Sequence, residues 1–107
     1  MKLYISGPMS GYTDNNWPAF HAMEAHLQSL DYEVLNPAKV GDPALSWQAN
    51  MRRAITLMMQ ADALILLDGW QKSRGARTEV YLARKLEMPI YDANLHEVNV
   101  ECHMAVV

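Results

Sequence analysis

Hydrophobic residues fall along the chain in short unbroken runs separated by stretches of helical period. Leu3, Tyr4 and Ile5 form an apolar run closed by Ser6-Gly7-Pro8, which predicts a buried strand and a turn. Residues 6–16 are polar, with Gly7, Pro8 and Gly11, and Asp14, Asn15 and Asn16 are N-cap candidates ahead of Pro18. Phe20, Met23, Leu27 and Leu30 recur at steps of three and four, predicting a helix over about 17–30. A second strand is expected at 32–35, then a loop at 36–46 containing Pro37, Gly41 and Pro43. Ser46 can cap a second helix in which Trp47, Met51, Ile55 and Met58 share a face. Residues 63–67, Ala-Leu-Ile-Leu-Leu, read as a strand buried on both faces, ended by Asp68-Gly69. A third helix is expected over about 74–87, stopped by Met88-Pro89, and Ile90-Tyr91 begins a fourth strand.

The order β-α-β-α-β-α-β implies right-handed crossovers, a parallel sheet and helices on both faces. The expected fold class is α/β: a Rossmann-like, doubly wound parallel sheet of four to five strands. Residues 1–92 form the domain, and 93–107 read as a last strand or an arm packing on a partner subunit. Ligands of such sheets bind outside the carboxyl ends of the strands, where strand order reverses. The segments leaving that edge with notable chemistry are 6–11 after the first strand and 68–79 after the third.

Composition narrows the partners. At 107 residues, half of them hydrophobic and a fifth charged, the chain suits one domain with its own core. No apolar run reaches the roughly 18 residues of a membrane span, and the apolar stretch near Met1 is shorter than a signal peptide requires. The net charge of −3 argues against duplex nucleic acid as a partner. Cys102 is the sole cysteine, so neither an intrachain disulfide nor a cysteine zinc cluster is expected, and a reducing cytoplasm is the expected location. His21, His26, His96 and His103 show no metal-ligand spacing, and no cofactor motif is present: residues 6–11 match neither phosphate-loop nor dinucleotide-binding fingerprints.

The loop Ser6-Gly7-Pro8-Met9-Ser10-Gly11 can nevertheless cradle an anion through backbone N–H groups and the Ser6 and Ser10 hydroxyls, or serve as a plain strand-to-helix turn. After the third strand, Lys72, Arg74 and Arg77 gather where a helix begins. Its free N–H groups already carry partial positive charge, so an anionic ligand or nearby carboxylates would offset the crowding. Glu79 is expected on the face shared by Leu82, Ala83 and Leu86, pointing into the crevice. Burial would raise its pKa, while helix-end N–H groups and Arg74 or Arg77 would hold it ionised as a usable nucleophile. The plainer alternative is a first-turn glutamate complementing the helix dipole. Asp68, past the third strand, is a site candidate, and Asp62, before it, is structural. The Tyr4 hydroxyl can reach the crevice or bond to backbone; Trp70 can stack on a base or cover the sheet edge.

Leu3-Tyr4-Ile5-Ser6-Gly7-Pro8-Met9, Ala61-Asp62-Ala63 and Gly75-Ala76-Arg77-Thr78-Glu79 with Ala83 together resemble the nucleoside 2-deoxyribosyltransferase superfamily, over about residues 2–92. The likeness extends to a small bacterial and phage branch in which the stretch from Asp68 through Gly69-Trp70 to Ser73-Arg74-Gly75-Ala76 recurs. The resemblance implies cleavage of the N-glycosidic bond of 2'-deoxynucleosides or their 5'-monophosphates. It places the nucleophile at Glu79 and its orienting tyrosine at Tyr4, sets the 6–11 loop beside the sugar or its phosphate, and implies a homo-oligomer, a dimer or larger, whose neighbouring subunit completes the pocket. Asp68 is the candidate partner for the departing base or the water. Ser6, Ser10, Ser73 and Arg74 or Arg77 make a plausible phosphate cradle, with Gly7, Pro8, Met9, Gly11, Trp70 and Gly75 around it. The competing expectation is a non-catalytic nucleotide-binding or sensor module on the same fold.

Overall fold

A computed structural model describes residues 1–99. Its core is one parallel sheet in the order β2-β1-β3-β4, formed by β1 (Lys2–Ser6), β2 (Glu33–Leu35), β3 (Ala63–Leu66) and β4 (Ile90–Tyr91). The helices between them are α1 (Trp17–Ser29), α2 (Trp47–Met58) and α3 (Arg74–Lys85). The α/β class, the element order and the four strands are those expected. The chain steps from β1 out to β2, then crosses back over β1 to β3. With right-handed crossovers this puts α1 on one face and α2 and α3 on the other, and makes the β1–β3 boundary the point where strand order reverses.

Strand alternation sorts the two cores. Leu3, Ile5, Ala63, Ile65 and Leu67 meet Phe20 and Leu27 of α1. Tyr4, Leu64, Leu66 and Ile90 meet Ala54 and Met58 of α2 and Val80 and Ala83 of α3. Both central strands are buried on two faces, which is why they read as unbroken apolar runs. The face of α3 differs from the expected one. It buries Ala76, Glu79, Val80 and Ala83, the i, i+3, i+4, i+7 set, while Leu86 lies past the helix end and is exposed. On α2, Ala54 takes the buried place expected of Ile55.

Ser46 caps α2 as expected, its hydroxyl accepting from the Ala49 N–H at 3.1 Å. Asp14, Asn15 and Asn16 do not cap α1 with their side chains. All three have φ between 52° and 59°, a left-handed turn that Asn and Asp tolerate better than most residues, and the Asn16 amide donates to the Pro8 carbonyl at 2.9 Å. Asp62 sits at the edge opposite the strand exits and accepts from the Lys2 N–H at 2.7 Å, the structural role expected of it. Beyond β4 the chain turns back, with an isolated antiparallel bridge between Tyr91 and Glu97. The rest of the expected terminal strand or arm, 100–107, lies outside the described residues. Among the described residues no helix is long and apolar enough to cross a membrane.

Candidate functional site

Tyr4 and Ser6 stand two apart on β1, so both side chains leave the same face of the strand, the one covered by α3. Glu79 sits on the sheet-facing side of α3, in its second turn. The pairing is direct. The Ser6 hydroxyl donates to Glu79 Oε1 at 2.7 Å, and the Tyr4 hydroxyl donates to Glu79 Oε2. Tyr4 and Ser6 are fully buried and Glu79 is 5% exposed.

The electrostatics follow from burial. Removal from water pushes the Glu79 carboxyl from its ordinary 4.5 to about 7, against the opposing pull of the Tyr4 and Ser6 hydrogen bonds. Burial, then the adjacent Glu79 charge and hydrogen bond, drive the Tyr4 phenol well above its usual value, so it stays a donor. The expectation that Arg74 or Arg77 holds Glu79 ionised is corrected. The Arg77 guanidinium donates to the Gln71 carbonyl at 3.2 Å, and Arg74 lies over the Trp47 ring. The hydrogen bonds from the Tyr4 and Ser6 hydroxyls favour the ionised form but only partly offset the burial.

A cleft of about 640 Å³ opens over this carboxylate at the β1–β3 exits, within the range of small-molecule sites. Glu79 and Tyr4 lie in its lining. Gly7, Pro8, Met9 and Ser10 form one wall and Ser73, Arg74 and Gly75 another, as expected of both loops. Gly7 allows the strand exits to close up: a Cβ there would stand 2.7 Å from Leu67 Cβ. Ser73 caps α3, its hydroxyl accepting from the Ala76 N–H at 3.1 Å. Ser6 spends its hydroxyl on Glu79 and is not an anion ligand.

Ser6, fully buried, is not in the cleft lining, and four further expected site residues do not reach it either. Asp68 is exposed beyond the end of β3 and is not part of the lining. Trp70 packs against the α2–α3 side of the core, the sheet-covering alternative. Arg77 is exposed, and its guanidinium is drawn to the Gln71 carbonyl and away from the lining. Gly11 has φ 84° in an open turn with nothing near it.

One wall was not anticipated. The loop after β2 and the start of α2 bring Asp42, Pro43, Leu45, Trp47, Asn50 and Met51 into the lining. Asn50 fastens that loop: its Oδ1 accepts from the Asp42 N–H at 2.9 Å, and its Nδ2 donates to the Asp42 carbonyl at 3.0 Å. The signal was available, because the loop at 36–46 leaves the same carboxyl edge as the other two. Among the described residues no group of three or more His, Cys, Asp or Glu is placed to hold a metal ion.

The fold is similar to that of a 2-deoxyribosyltransferase from the psychrotolerant bacterium Bacillus psychrosaccharolyticus. The TM-score is 0.68 at 16% identity, over 86% of this chain and 71% of that one. No curated protein matches the chain in sequence. Residues 1–92 match the family described as a domain of unknown function, DUF4406, and the chain belongs to that family.

Proposed function

We propose that this protein cleaves the N-glycosidic bond of a 2'-deoxynucleoside 5'-monophosphate, or of the deoxynucleoside, with Glu79 as nucleophile. The observation that carries the reading is a buried carboxylate under a cleft, held through both oxygens by Tyr4 and Ser6. A likeness in fold to a 2-deoxyribosyltransferase, itself described as a biocatalyst for nucleoside synthesis, supports the substrate class.

In this mechanism a Glu79 oxygen forms a bond to the anomeric carbon as the carbon–nitrogen bond breaks. The bonding pair leaves with the base, which takes up a proton from solvent. The transition state carries positive charge on the sugar, and a poorly hydrated carboxylate stabilises it. Each carboxylate oxygen keeps a lone pair beyond its hydrogen bond, so the hydroxyls orient Glu79 without blocking it. Water then attacks the anomeric carbon and frees the carboxylate, giving hydrolysis; a second base in place of water gives transfer. Arg74 and the Ser10 hydroxyl line the same cleft and suit the 5'-phosphate.

Deoxynucleosides and their monophosphates incubated with the protein are expected to release free base, measured by chromatography. Wild type should show a rate that rises with pH through about 7, as Glu79 ionises. Glu79→Gln should be silent. Tyr4→Phe should move the midpoint to higher pH, because the lost hydrogen bond had favoured the ionised form. No release from any substrate, with nucleotide bound tightly and returned intact, would leave the non-catalytic binding module in its place.

A further inference from the structure

Arg74 and Trp47 each open a helix that starts at the cleft, α3 and α2 respectively. Between them lies a contact unconnected with Glu79: the Arg74 guanidinium carbon stands 3.7 Å from the centre of the Trp47 ring. We propose that Trp47 is a positioning residue, whose indole holds Arg74 at the cleft as the anchor for a substrate phosphate. The inference rests on the nucleotide reading above and extends it to a residue outside the reacting groups.

Stacking is the form of restraint such an anchor needs. A guanidinium lying on a ring uses its face and leaves its N–H groups free in the plane. Arg74 has no carboxylate within ion-pair distance and no side-chain hydrogen bond among the described residues. Arg77 has committed its guanidinium to a backbone carbonyl. The cation at Arg74 is also badly placed for the helix it begins, since the helix N-terminus is itself partly positive. The ring quadrupole offsets that cost, and a bound phosphate would offset it further.

One turn after Trp47, Met51 packs on the first turn of α3, where a Cβ on Gly75 would stand 3.1 Å from Met51 Sδ. The starts of α2 and α3, which carry the ring and the arginine, are therefore packed against each other. Ser73 already satisfies the Ala76 N–H through its hydroxyl and the Arg77 N–H through its carbonyl. Arg74 and Gly75, at the start of α3 where backbone N–H groups lack intrahelical partners, both line the cleft, so a phosphate held there by the guanidinium would also have those N–H donors at hand.

The test uses the full chain and titration calorimetry with three probes: deoxyadenosine monophosphate, deoxyadenosine and inorganic phosphate. Wild type is expected to bind the monophosphate more tightly than the nucleoside. Trp47→Ala should weaken the monophosphate and inorganic phosphate about five- to ten-fold more than it weakens the nucleoside, which shares the cleft wall but not the phosphate anchor. Trp47→Phe should recover most of the loss, since it keeps a ring under the cation. Arg74→Ala should lose as much, and the double variant no more than Arg74→Ala alone. Equal weakening of nucleoside and monophosphate, an additive double variant, or no rescue by phenylalanine would overturn the proposal. So would a wild type that binds neither phosphate probe. A protein with Trp47-dependent phosphate binding that releases no base from any nucleotide would fail the proposed reaction and keep this inference.

Discussion

Replacing Glu79 with glutamine removes one ionisable group from the floor of the cleft and nearly preserves its shape. The carboxyl is buried, and its pKa rises from 4.5 to about 7. In the unfolded chain the same group titrates near its ordinary value. Between those two pH values the folded protein holds a proton that the unfolded chain has released. Stability from this residue is therefore full below about pH 4.5 and lost as pH rises through about 7. At about 1.4 kcal/mol for each tenfold, the whole loss is about 3 kcal/mol. Glutamine does not titrate and escapes it. Urea unfolding of both proteins from about pH 4 to about pH 8 gives the difference curve, in which every other titrating group cancels. That difference is expected to be level at the acid end, to climb in favour of Glu79→Gln, and to flatten above about pH 7.5, about 3 kcal/mol higher. A difference that stays level across the range would refute the claim that this carboxyl is desolvated, and with it the account of the site.

Two further substitutions test the packing around the cleft. Gly7→Ala puts a Cβ 2.7 Å from Leu67 Cβ, where the Leu67 N–H is bonded to the Ser6 carbonyl at 2.9 Å, and should cost about 1–3 kcal/mol, read as a lower urea midpoint. Gly75→Ala meets only the flexible end of Met51 and gains helix propensity, so it should stay within about 1 kcal/mol of wild type. Lys39→Met removes the cation 2.7 Å from Glu24. Lys39 is largely exposed, so the expected loss is about 1 kcal/mol at neutral pH. Because Glu24 is held below its ordinary value, that loss should vanish as acid protonates it, and the two unfolding curves should converge at low pH.

The parts of the site readable from the sequence were those fixed by local geometry. The apolar run at β3 located the sheet centre, and the edge rule separated Asp62, bonded to Lys2, from the strand exits. A glutamate among the apolar positions of a helix pointed inward, while its pairing with Tyr4 came from the family resemblance and not from the local pattern. What failed depended on contacts between distant segments. Asp68 leaves the correct edge, but the turn at Gly69, with φ 87° and Tyr12 packed over it, leaves Asp68 exposed. Arg74 and Arg77 are alike in sequence and differ in structure because Trp47, on another helix, meets only one of them. The 41–47 wall depends on Asn50 reaching back to Asp42, a contact with no local pattern.

Among the described residues two glutamates are buried, Glu24 and Glu79, and the contrast between them bears on the proposed role of Glu79. Burial pushes the Glu24 carboxyl up as well, but hydrogen bonds from Lys39 and Asn36 and the Lys39 charge outweigh it, so the group ends below its ordinary value. That is how a structural carboxylate is stabilised: a cation at 2.7 Å and an amide at 3.2 Å, tying α1 to the exit of β2. Glu79 is more fully buried and receives only two neutral hydroxyls, so it ends above its ordinary value. A single Lys or Arg within reach would have removed the penalty, and the nearby cations are directed elsewhere. An ion pair at Glu79 would also have stabilised the ground state of the carboxylate and made it a poorer nucleophile. A carboxylate buried without a cation at the reversal point of the sheet, beneath an open cleft, is the arrangement that the proposed nucleophile needs and that Glu24 lacks.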